Sequence, residues 1–184
     1  MELLIDIGNT LCKATFFNKG KWAMVNPAPF SLNFIGNLLQ EKGIEKIAFA
    51  TVKKHSIEEL EFFQKNKMIR ITEFHKLPVQ NKYSSKETLG DDRLAAVCGA
   101  YADSKNKNAM LVIQAGTALT FDYVNDKNEY LGGAISPGPD LRFKALHNFT
   151  DNLPLIEKTT NYDAIGTSTK DSISCGVMMG SLAE

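Results

Sequence analysis

Within five residues the chain sets down a carboxylate, a glycine, an amide and a hydroxyl: Asp6, Gly8, Asn9 and Thr10. They close the apolar run LLI, and Lys13 follows. An apolar strand would fix Asp6 at its end. Gly8 permits a tight turn close to a ligand, and Asn9 and Thr10 offer small hydrogen-bonding groups. Backbone N–H groups of such a turn, with the Thr10 hydroxyl, suit phosphate oxygens, and Lys13 adds positive charge. Asp6 would repel a phosphate unless a divalent cation lay between them, and carboxylate-plus-water ligation suits Mg²⁺. An ordinary hairpin, in which Asp6 merely satisfies turn amides, accounts for the same residues. A second stretch, LVIQAGTA, repeats the grammar with Gln114, Gly116 and Thr117 after an apolar run. Two such turns facing each other would clamp a nucleotide, which favours the binding reading.

The elements that must position these turns follow from periodicity. Leu3–Ile7, Lys13–Phe17 and Trp22–Val25 read as three strands joined by turns. A helix follows, capped by Ser31 and ended by Gly43; then a buried strand over Ile47–Val52 and a helix opened by a Ser56/Glu59 capping box. MIRITEF reads as a further strand. DDRLAAVCGAYA reads as an alanine-rich helix whose first turn carries Asp91 and Asp92, where the dipole favours negative charge. A second series begins at Ala109. It has strands over Met110–Ile113, Leu119–Val124 and Tyr130–Ile135, a turn at SPGPD, a helix near Leu141–Asn148 and a last helix from Ser168. Aligning Asp6 with Gln114, 108 positions on, superposes two strand-turn-strand openings and leaves the second copy the shorter. A tandem duplication of a mixed α/β unit is expected, split as 1–105 and 106–184; chance similarity of two short segments is the alternative.

Composition narrows the function classes. Lys+Arg and Asp+Glu both number 21, giving no electrostatic reason to expect nucleic acid or an anionic membrane as partner. The longest apolar runs fall short of a membrane span, and no basic n-region or cleavage site precedes the first strand. Cys12, Cys98 and Cys175 lie far apart, as expected of reduced thiols, and His55, His75 and His147 are too scattered for a zinc site.

The set DIGNT, GDDR, AGTA, GGAISPG and Thr169 before an apolar helix, in this order, resembles type III pantothenate kinase, of the sugar kinase, Hsp70 and actin superfamily. The resemblance implies an α/β fold of two ribonuclease-H-like halves, mixed βββαβα sheets, around a nucleotide cleft, with the second half truncated. It implies ATP-dependent phosphorylation of pantothenate to 4'-phosphopantothenate, the first step of coenzyme A biosynthesis, in a cytoplasmic homodimer. The segment Asp6, Ile7, Gly8, Asn9, Thr10, Leu11, Cys12 and Lys13 would hold the ATP phosphates, with Asp6 near Mg²⁺, and Thr117 would touch them as well. Gly90, Asp91, Asp92 and Arg93 would hold pantothenate, Asp92 as general base and Arg93 on the acid. Tyr83 and Thr169 would be further pantothenate contacts. Gly132, Gly133 and Gly138 would let backbone approach the ligand. These residue types suit the chemistry, since a carboxylate near a primary hydroxyl accepts its proton and a guanidinium orients a carboxylate.

Plainer readings stand beside each role. Asp91 and Asp92 serve as a helix-start pair, Arg93 as an exposed surface arginine, Tyr83 as a packing aromatic and Thr169 as an N-cap. Two departures from the family pattern matter. Gln114 stands where the family usually has an aspartate that ligates a monovalent cation, K⁺ or NH₄⁺; a neutral amide should bind that cation less well. Asp122, eight residues on, is expected to point along a neighbouring strand without substituting for it. Members of the family also continue for about sixty residues past the point where this sequence stops. The alternative function is a catalytically weak homologue that binds nucleotide or pantothenate as a regulatory protein; a third reading keeps the superfamily but takes a sugar or acetate as substrate.

Overall fold

A computed structural model describes residues 1–74, 76–105 and 108–184; His75, one of the three scattered histidines, lies outside them. The first run of elements is β1 (Glu2–Ile7), β2 (Cys12–Asn18), β3 (Lys21–Met24), α1 (Leu32–Leu38), β4 (Lys46–Thr51), α2 (Ile57–Lys65), β5 (Met68–Arg70), β6 (Gln80–Asn81) and α3 (Asp91–Asp103). The second is β7 (Met110–Ala115), β8 (Ala118–Val124), β9 (Glu129–Pro137), α4 (Pro139–Asn148) and α5 (Thr169–Leu182). The chain forms two compact units, Met1–Val112 with Asp122–Gly132, and Ile113–Phe121 with Gly133–Glu184.

The first unit carries a five-stranded sheet in the order β3-β2-β1-β4-β5. β1 pairs antiparallel with β2 and parallel with β4, the mixed arrangement expected of a ribonuclease-H-like half. Period-two alternation sends Leu3, Ile5 and Ile7 into a core shared with Ile35, Leu38, Phe49 and Phe63. That leaves Asp6 on the opposite side of the strand. At the sheet's rim, Lys19 (φ 48°) and Gly20 (φ 79°) make the tight left-handed turn that a right-twisted hairpin needs. β3 beyond it is exposed throughout, with Trp22 lying against Phe17 at 4.5 Å between ring centroids. A second core of this unit gathers Val79, Leu94, Val97, Tyr101, Val124 and Tyr130.

Three local expectations need correction. α1 ends at Leu38, with Leu39 as its C-cap, not at Gly43. Gln40 N–H already reaches back to Asn37 O in a tightened i→i+3 bond, and Gly43 sits beyond in a left-handed turn (φ 84°). The MIRITEF strand stops at Arg70, because Ile71–Glu73 wind into a 3₁₀ turn and the Glu73 carboxylate accepts from Arg70 N–H at 3.3 Å. Thr169 is not the N-cap of α5: Ser168 is, its hydroxyl accepting from Asp171 N–H at 3.1 Å.

The four-stranded second sheet runs β6-β9-β8-β7, so β9, β8 and β7 follow the same succession as β3, β2 and β1. In the second unit α4 and α5 close on Phe143, Ile156, Ile173 and Val177. Pro139 starts α4, where its missing N–H costs nothing. Cys12, Cys98 and Cys175 are free thiols. Burial pushes the Cys12 and Cys98 thiols up to about 11, with the Asp6 charge adding to the effect at Cys12. Among the described residues no helix is long and apolar enough to cross a membrane.

Candidate active site

Asp6 and Lys13 are cross-strand partners in the β1–β2 register, with Nζ 3.9 Å from Oδ2. Between them the turn is closed by Gly8 N–H donating to Leu11 O at 3.1 Å, and Asn9, Thr10 and Leu11 are exposed at its tip. Ile7 and Cys12 are fully buried anchors on either side, and the Cys12 backbone is paired with Ala28, so they shape the turn rather than offer it contacts. The Asp6 carboxyl titrates above its ordinary range: burial is the main cause, the Lys13 ammonium opposes it, and the Asp92 carboxylate pushes the same way as burial. Asp92, from the first turn of α3, therefore shares an electrostatic neighbourhood with Asp6. A groove of about 540 Å³ opens beside Asp6 and Lys13, floored by small and apolar residues such as Leu4, Ala48, Ala50 and Cys98.

The GDDR segment divides its work. Asp92 Oδ1 accepts from Arg93 N–H at 2.8 Å. A side chain at Gly90 would place its Cβ 2.5 Å from that oxygen, so glycine makes room for the carboxylate. Asp91 turns the other way and is 1% exposed. It accepts from Arg70 Nε at 2.5 Å, Arg70 Nη2 at 3.1 Å and Thr51 N–H at 3.2 Å, tying the start of α3 to the ends of β4 and β5. Thr51 in turn holds His55 Nε2 at 2.8 Å through its hydroxyl, and His55 Nδ1 faces Glu59 at 3.0 Å. Asp91→Ala would strand the Thr51 N–H and is expected to cost about 1–3 kcal/mol, the price of an unsatisfied buried donor. Denaturant unfolding with an unchanged slope is the check.

Arg93 is not an exposed surface arginine, contrary to the plainer expectation. Its guanidinium is buried and donates to Asp122 from Nε (3.0 and 3.2 Å) and Nη2 (2.5 Å). Burial works against the charged form, but the bond and charge of Asp122 outweigh it and raise the pKa further. The Arg93 guanidinium lies 5.5 Å from the Tyr83 ring, which stacks on Tyr130 at 6.1 Å and 8°. A Cβ at Gly132, itself at φ 109°, would come within 2.9 Å of the Tyr83 ring. Asp122, read in the sequence only as a strand residue, is the partner that was missed. Its signal was a charged residue at an inward position of an apolar strand.

In the second unit, Gln114 Nε2 donates to Thr120 Oγ1 at 3.2 Å. The turn after it is shorter than its counterpart: Gly116 N–H donates to Ala118 O and Gly138 N–H to Thr117 O, both at 3.0 Å, with Thr117 exposed. Thr169 is exposed as the first residue of α5. Among the described residues no group of three or more His, Cys, Asp or Glu could hold a metal. The Asp6 carboxylate at the edge of the groove is a donor of the kind that fits Mg²⁺, which keeps waters and substrate phosphates as its other ligands.

Comparison with known proteins identifies the family. The family model described as Type III pantothenate kinase matches residues 2–184. A protein of that name from Flavobacterium psychrophilum is 38% identical over 186 residues, covering 98% of this chain and 76% of its own. One from Phocaeicola vulgatus is 36% identical over 187 residues, covering 98% and 75%. A crystal structure from Campylobacter jejuni, whose description assigns it to the Baf family of transcriptional activators, matches with a TM-score of 0.61 and 26% identity over 98% of this chain and 76% of that one. Matched across nearly its whole length by the family and by relatives above one-third identity, the chain belongs to the type III pantothenate kinase family.

Proposed function

We propose that this chain transfers the γ-phosphoryl group of ATP to the primary hydroxyl of pantothenate, opening coenzyme A biosynthesis. The observation that carries the proposal is the Asp6–Lys13 pair at the foot of an exposed turn, beside a groove of about 540 Å³, in the compact unit that also carries the GDDR segment. Asp92 accepts the hydroxyl proton as the phosphoryl group arrives, a role that needs hydrogen-bond reach and an ionised carboxylate. The N–H groups of Asn9, Thr10 and Leu11 and the Thr10 hydroxyl hold phosphate oxygens, and Lys13 balances their charge. Asp6 would hold Mg²⁺, which would supply charge neutralisation at the phosphates when bound. Arg93 and Tyr83 face the carboxylate end of pantothenate. Asp91 acts by holding the start of α3 rather than by touching substrate. Thr117 and Thr169, each exposed on the second unit, keep the nucleotide and pantothenate roles that the family resemblance gives them. A homodimer and a cytoplasmic location belong to the proposal on the same ground.

The experiment is direct. Incubation with ATP, Mg²⁺ and pantothenate, read by ADP release and by mass of the product, should give 4'-phosphopantothenate. Calorimetric binding of both ligands without product would support the regulatory reading instead, which the neutral Gln114 favours.

Gln114 also predicts how the enzyme responds to salts. An amide offers a carbonyl oxygen but no charge to a monovalent cation. Turnover should change less than about twofold between K⁺ and Na⁺ buffers of equal ionic strength, and Gln114→Asp should confer K⁺ activation of about fivefold or more, the scale of one added charge. Equal salt response in both proteins would remove Gln114 from the cation site.

A further inference from the structure

Asp122 is a fully buried carboxylate that accepts from Arg93 Nε and Nη2 and from the Tyr130 hydroxyl at 2.7 Å. A buried ion pair is a poor way to stabilise a core, because well-packed apolar residues of similar volume often do as well or better. What such a pair does well is orient: a planar guanidinium held along one edge is locked in a single plane. Three elements converge to do this, with Arg93 in the first turn of α3, Asp122 in β8 and Tyr130 in β9. The Asp122 contacts use Nε and Nη2, so Nη1 takes no part in the pairing. The same Tyr130 that donates to Asp122 also stacks on Tyr83, which lies against Arg93 and the bare backbone of Gly132.

We propose that Asp122 is a positioning residue for substrate recognition, fixing Arg93 beside Tyr83 so that both meet the carboxylate of the acceptor. Arg93 would touch substrate; Asp122 acts only through it, with Tyr130 steadying both Asp122 and Tyr83. The inference deepens the proposed function and rests on it.

Steady-state kinetics of the full chain with pantothenate and with its primary amide, which lacks the charge, test it. Asp122→Asn should raise KM for pantothenate about tenfold or more, with kcat changed less than about threefold and KM for ATP unchanged. KM for the amide should stay at its wild-type value, so the acid-to-amide ratio moves. Tyr130→Phe keeps the ring stack but removes one donor to Asp122, and should move the ratio in the same direction by about threefold. A merely structural role would lower kcat and thermal stability for both substrates alike and leave the ratio untouched; that overturns the proposal. Should Asp122→Asn fail to fold, the Tyr130→Phe ratio decides alone. A wild-type chain that turns over pantothenate while both variants keep its ratio defeats the positioning role only. No turnover of pantothenate by wild type defeats the proposed function and this inference with it.

Discussion

Asp92→Asn is expected to lower kcat for pantothenate by about 10²–10⁴-fold, the range that a positioned general base contributes. The protein should remain folded, because the asparagine side-chain oxygen can still accept from Arg93 N–H as Asp92 Oδ1 does at 2.8 Å. Removing the charge also relieves Asp6, whose carboxyl is pushed up by burial first and by Asp92 second. Nucleotide binding should therefore survive while transfer fails. Single-turnover measurement at saturating ATP separates the two, and a variant with wild-type turnover would strike Asp92 from the mechanism.

Asp122→Ala should produce the largest loss of stability, about 3–5 kcal/mol, because it leaves the Arg93 guanidinium buried without a counter-charge. Arg93 retains only 5% side-chain exposure, so water cannot easily take the carboxylate's place. The Tyr130 hydroxyl loses its acceptor as well. Replacing both members of the pair with apolar residues, as in Asp122→Leu with Arg93→Met, should recover most of the loss. Chemical denaturation of the single and double variants measures it; an Asp122→Ala variant within about 1 kcal/mol of wild type would show that the cluster relaxes around the gap.

Much of this arrangement was visible in the sequence because it depends on local rules. Alternation in LLIDI puts Leu3 and Ile5 inward and Asp6 on the other face, whatever the rest of the chain does. The Ser56–Glu59 spacing specifies a capping box within four residues, and both of its bonds are present. What the sequence could not disclose was pairing over distance. Asp91 and Asp92 look identical on paper, two acids in the first turn of a helix. Only the approach of Arg70, twenty-one residues earlier, and Thr51, forty residues earlier, turns one inward to a clamp. Asp122 reads as one charged residue in a mostly apolar strand until Arg93 arrives from twenty-nine residues away. The end of α1 was misplaced for a different reason. Gly43 signals a stop, but the helix had already stopped on its own backbone bonds, and the glycine serves the next turn.

The chain has a single tryptophan, and it sits on the outermost strand of the first sheet, 61% exposed. Its emission is therefore that of a solvated indole at the rim, quenched or shifted first by anything that peels the hairpin from Phe17. Fluorescence-monitored melting would follow fraying of this border, whereas calorimetry would follow the interior. A gap between the two midpoints would measure how loosely the border is stitched to the rest, using the protein's own reporter and no added dye.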